Sequence, residues 1–190
     1  MTHEFSDISL TFTVENDYDI EAVNQRFHDL SQALQDHEFI GLNKDWALCY
    51  QLKLMPGIVT YQINGEPLRD KDERDLSFRV ESIIDHAYQL LWGGAFSQAF
   101  GKPYALDIEG SGIAYDLTRQ GDVLKMQTTH DQVDDALFNL KPLQFLTATA
   151  EHYERTIRTM LKLHKPLRAH AGFMRSIPNI RLIDYYASVL

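Results

Sequence analysis

The sequence predicts an α+β fold built on a mostly antiparallel sheet of about six strands with three main helices. Two periodicities predict it. Apolar residues alternate with polar ones in residues 8–14, 46–54 and 104–117, the pattern of half-buried strands. They recur at steps of three and four in residues 20–34, 76–91 and 146–161, the pattern of helices with one apolar face. A third observation fixes the pairing sense: strand segments follow one another across turn sequences instead of alternating singly with helices. No linker rich in Gly, Ser or Pro divides the chain and no repeat is visible, so residues 1–190 read as one domain.

Each element has its own justification. Ile8, Leu10, Phe12 and Val14 alternate with Ser9, Thr11 and Thr13. Glu15-Asn16-Asp17 breaks that strand and offers a helix cap, after which Ile20, Val23, Phe27, Leu30 and Leu34 form an apolar stripe. Its opposite face carries Glu21, Gln25, Asp29, Gln32 and Asp36. Trp46 to Leu54 reads as a strand, Met55-Pro56-Gly57 as a turn, and Ile58 to Ile63 as the returning strand, closed by Asn64-Gly65-Glu66-Pro67. Leu76, Val80, Ile83, Ile84, Ala87 and Leu91 mark a second helix, which Gly93-Gly94 should end or break. Strands at Tyr104–Ile108, Ile113–Leu117 and Val123–Gln127 follow, separated by Gly110-Ser111-Gly112 and Gln120-Gly121-Asp122. Thr129 to Leu140 admits a short helix. Pro142 suits a first helical position, and Leu146, Ala150, Tyr153, Ile157 and Leu161 share one face of the helix that Lys165-Pro166 closes.

Composition narrows the function classes. Hydrophobic residues are 44% of the chain and charged residues 24%, which excludes a disordered chain. The lone cysteine, Cys49, leaves no intrachain disulfide and no cysteine cluster for a metal. No apolar run nears the ~18 residues of a membrane helix. Met1-Thr2-His3-Glu4 lacks a signal-peptide pattern, so a cytoplasmic protein without a membrane partner is expected. The net charge is −9 and uneven: residues 1–135 hold 10 basic and 24 acidic side chains, residues 136–190 hold 8 and 3. An acidic body repels phosphate backbones and makes nucleic acid an unsuitable partner.

Candidate chemistry is thin. Cys49 could be a nucleophile only beside a histidine that the sequence does not place, and a small apolar filler is the commoner role. The eight histidines form no His-x-x-x-His or His-Glu-x-x-His pattern, so no metal or other cofactor is expected. Surface positions are expected for each, including His86 and the loop pair His130-Asp131. Asp107, Glu109 and Asp116 flank Gly110-Ser111-Gly112; carboxylates so placed suit glycoside hydrolysis or an ion, and equally a solvated sheet face. Trp92 beside Gly93-Gly94 has the composition of a binding anchor. Its spacing of four with Phe96 and Phe100 is also what a core stripe running on across a kink would show, the commoner arrangement.

One stretch carries a family pattern. Ala105-Leu106-Asp107-Ile108, a glycine turn, Ile113-Ala114-Tyr115-Asp116-Leu117, Gly121-Asp122-Val123 and a helix opening with Leu143-Gln144-Phe145-Leu146 resemble the C-terminal part of SUKH-type immunity proteins. The resemblance spans residues 104–161. The N-terminal part departs from that family by opening with a strand, where the family has an aromatic-rich helix and a Leu-Pro segment. The resemblance implies a protein without catalytic residues that binds and neutralises a bacterial toxin. A basic toxin domain would be steered by acidic side chains, which makes Asp17, Asp19, Glu21, Asp29 and Asp36, with Trp92, the expected partner-binding residues. A small enzyme using His130 or the three carboxylates is one alternative. An acidic secretion-chaperone-like or scaffold protein is the other.

Overall fold

The computed structural model describes residues 5–36, 55–69, 77–108, 113–128 and 137–165. Within them the fold is α+β, with three helices and two antiparallel sheets of four strands each. The strand count is therefore eight, not six. Three of the eight, Glu66–Pro67, Ser77–Val80 and Leu137–Leu140, were not expected; all three are short, and pairing rather than local pattern creates them.

In the first sheet, β1 (Ile8–Val14) pairs with β2 (Gly57–Ile63) from Ile8↔Ile63 to Val14↔Gly57. The loop Asn64-Gly65 has φ of 54° and 82°, the left-handed pair that a two-residue hairpin turn demands. It returns the chain as β3 (Glu66–Pro67) on the other side of β2. The same side of β2 takes β4 (Ser77–Val80), paired from Gly57↔Val80 to Thr60↔Ser77. Residues 77–80, expected to begin the second helix, are thus a strand. The helical spacing from Leu76 to Ile83 lost to hydrogen-bonding groups that β2 offers on this edge. The strand expected over Trp46 to Leu54 lies outside the described residues.

The second sheet is a meander of β5 (Tyr104–Ile108), β6 (Ile113–Gln120), β7 (Val123–Thr128) and β8 (Leu137–Leu140). The helix entertained for Thr129 to Leu140 is corrected at its end, where Leu137–Leu140 pairs with β7. A parallel bridge from Ser6 to Leu140 joins the sheets, with the Ser6 amide donating to the Asn139 carbonyl at 2.8 Å.

The helices are α1 (Ile20–Asp36), α2 (Ile83–Phe100) and α3 (Pro142–Leu163). Ser82 caps α2 by accepting from the Asp85 amide at 3.3 Å, and Gly101, with φ 61°, ends it. Gly93 and Gly94 neither end nor break it. A methyl group on Gly94 would stand 2.5 Å from Cε1 of Phe145, and one on Gly93 closer still to the Tyr104 ring. The glycines let two rings reach the helix backbone, and that packing outweighs their poor helix propensity. One core runs through both sheets and both long helices. It includes Leu10, Val59, Tyr61 and Phe78 from the first sheet, Leu106, Tyr115, Leu124 and Met126 from the second, and Ile83, Leu90, Phe145 and Met160 from α2 and α3.

Candidate functional site

Because α2 lies in the middle of this core, its inner face is fully committed. Ile83, Ile84, Ala87, Leu90, Leu91, Gly93, Gly94 and Ala95 are all buried. One strip of the helix escapes. Trp92 is 43% exposed and Phe100 62%, with half-buried Phe96 between them at the same four-residue spacing. Phe96 holds the strip in place: its ring lies 5.0 Å from Phe100 and 6.1 Å from Tyr104 between centroids. The stripe therefore does not continue the core, as its spacing suggested. It forms an aromatic ridge on the outside of a helix that runs without a break from Ile83 to Phe100. Tyr104 serves both sides, since it packs against Gly93 from below and against Phe96 from beside.

The second surface feature is a groove of about 500 Å³ between β1 and α3, lined by Ser9, Leu10, Thr11, Glu151, Glu154, Arg155 and Arg158. Three of its charged groups, Glu154, Arg155 and Arg158, are engaged with near neighbours. Arg155 donates to the Leu10 carbonyl at 2.5 Å, covering the outer edge of β1, and Arg158 pairs with Glu154. Nothing here couples a nucleophile to a base.

The acidic residues expected to meet a partner are placed as follows. Asp19 caps α1, its carboxylate accepting from the Ala22 amide at 2.9 Å. Asp17 lies within electrostatic reach of Arg79, which is paired with Glu15 at 2.6 Å. Glu21 and Asp29 are exposed on α1, and Asp29 accepts from Gln25 at 3.0 Å. The side chain of Asp36 lies outside the described residues. Trp92 stands on a different helix, and no contact among the described residues links it to these carboxylates. Cys49, Glu109, His130 and the side chain of Asp107 lie outside the described residues; Asp116 is half-buried on β6.

Three of the four described histidines overturn their expected surface placement. Of the four described, His28 is exposed, while His86, His152 and His164 are buried. Nε2 of His86 shares a 2.6 Å hydrogen bond with the Tyr61 hydroxyl. His152 packs edge-on to Phe12 and to His86, and neither of its ring nitrogens meets a hydrogen-bonding group. His164 is held at 2.8 Å by both Tyr18 and Asn24. Burial pushes the imidazoles down, to about 4 for His86, about 3 for His152 and about 4 for His164. All three are neutral at pH 7. A sequence signal existed for His152, which lies three residues after Thr149 and four before Thr156 at helical spacing, beside Tyr153, on the buried face of α3. No such signal marks a partner for any of them.

Among the described residues no group of three or more His, Cys, Asp or Glu side chains comes together as a metal site. No helix there is long and apolar enough to cross a membrane. No protein-family model, curated protein or solved structure matches the chain.

Proposed function

We propose that this chain is a cytoplasmic binding protein that docks a partner protein through the aromatic ridge of α2. The observation that carries the reading is the exposure of Trp92 and Phe100 on a helix whose other sides are packed. Large aromatic side chains left in water lose the burial free energy of ~25 cal/mol per Å² that a partner would restore, and Trp leads among binding hot spots. The partner class is the one the resemblance of residues 104–161 implies, a toxin domain that the chain neutralises. A basic domain fits best, since Asp17, Asp19, Glu21 and Asp29 gather at the start and along the open face of α1.

The test is co-expression with the product of the adjacent gene. A complex that protects cells, and that weakens by about 10-fold or more in Trp92→Ala and Phe100→Ala, supports the reading. Variants that bind as tightly as the parent would move the site elsewhere, and no complex with either flanking gene product would remove the toxin assignment.

A further inference from the structure

The seam that holds α3 to the rest of the protein carries three imidazoles. His152 lies on its buried face and His164 caps its C-terminal end about three turns on, with Thr156 and Met160 between them. His86 meets His152 from α2, the ring centroids 6.2 Å apart and the planes at 86°. We propose that α3 is an acid-released element, set free when protons reach His86, His152 and His164.

Among the described residues, the surroundings of each ring offer a proton no counter-charge. Facing His86 are Tyr61 of β2 and His152 of α3, with Tyr115 of β6 behind Tyr61 at 5.2 Å between rings. Its sequence neighbour Asp85 points to Gln89, from which it accepts at 2.6 Å. Facing His152 are His86, Phe12 of β1 and, on its own helix, the positive charge of Arg155. Facing His164 are Tyr18, ahead of α1, and Asn24 within it. Asn24 accepts through its Oδ1, so the His164 proton sits on Nδ1 and Nε2 accepts from the Tyr18 hydroxyl, whose oxygen takes a backbone hydrogen bond from Met55. A proton on Nε2 would face that hydroxyl proton and break the chain of three bonds. A proton on His152 would lie buried beside a second imidazole and a guanidinium.

The direction follows from linkage. All three groups bind protons more weakly in the folded chain, at about 4, about 3 and about 4, than the ~6.5 of an unfolded histidine. The stability their neutral forms contribute is complete above pH 6.5 and is lost as pH falls toward 4. Each histidine lowers the folding constant about tenfold per pH unit in that window, so three lower it about a thousandfold. His152 belongs to α3, His164 caps its C-terminal end and His86 touches His152, so the loss falls on the docking of this helix.

An acid titration of the full chain tests this, followed by circular dichroism and by amide hydrogen-exchange protection factors for each element. Protection of α3 should fall between pH 6.5 and 4.5, ahead of β6 and β7, and return on neutralisation. His152→Phe keeps the ring volume and removes one titrating group, so its midpoint should move down by about half a unit or more. A folded His152→Phe with an unchanged midpoint overturns the proposal, as does loss of protection in β6 and β7 no later than in α3. Where the variant fails to fold, imidazole NMR of the parent chain decides. Neutral His86, His152 and His164 rings in the folded protein at pH 5.5 support the proposal, and charged ones overturn it.

Discussion

Two residues on one helix, Leu90 and Trp92, show how position decides the role of an apolar side chain. Leu90 is 0% exposed and Trp92 43%. Leu90→Ala should cost about 2–5 kcal/mol through lost burial and a cavity. Trp92→Ala, although the larger deletion, should cost about 1 kcal/mol or less. Denaturant midpoints of the two variants check the contrast, and an equal loss would place Trp92 in the core. Polar residues obey the same logic inside the protein. Tyr61→Phe removes the 2.6 Å hydrogen bond to His86 and leaves a buried ring nitrogen without its partner, which should cost about 1–3 kcal/mol. Stability within 0.5 kcal/mol of the parent would show that His86 finds another partner. At His86 none of this was legible in the sequence. Burial of His86 depends on Tyr61 and His152 arriving from residues 25 before and 66 after it, and local composition does not encode such meetings.

At the scale of elements, the strong periodic signals survived and the weak ones yielded to partners. The strands β1, β5, β6 and β7 and the helix after Pro142 were legible because each carries its pattern over five residues or more. The buried face of α3 is rotated from the expected one. Thr149, His152, Thr156 and Met160 lie within it, while Ala150, Ile157 and Leu161 sit half-buried at its margin. Two threonines turn their hydroxyls back onto the carbonyls of Phe145 and His152, four residues earlier, and so present methyl groups to the core. Residues 77–80 were read as helix because Leu76, Val80 and Ile83 fit its spacing, whereas a strand of four residues shows only two alternations. The glycine pair marks the limit of propensity. Gly94→Ala should gain up to about 1 kcal/mol in an isolated helix, yet here the new methyl meets the Phe145 ring at 2.5 Å. The net effect should be destabilising by about 1–3 kcal/mol. A thermal midpoint above that of the parent would show that α3 can shift outward at little cost.

For the whole molecule, charge and shape divide the work of binding between two places. The aromatic ridge of α2 can hold a partner through buried area, which governs how slowly a complex dissociates. The acidic face of α1 can act at longer range, on how fast it forms, because charges on an exposed helix are screened over about 8 Å at physiological salt and reach further in dilute buffer. Glu21 and Asp29 are suited to a test, both being exposed, and Asp29 holds only Gln25 of its own helix. Asp17 and Asp19 are less suited, since one sits near Arg79 and the other caps the helix. Glu21→Lys combined with Asp29→Lys changes the net charge from −9 toward neutral by about four units, and should slow association with a basic toxin domain roughly tenfold at low salt. The deficit should shrink at high salt, and the dissociation rate should stay near that of the parent. Trp92→Ala should show the opposite pattern, a faster dissociation with little salt dependence. Association rates that are equal for the parent and the double variant at both salt concentrations would leave the ridge as the whole of the docking surface and α1 as a solvated helix face.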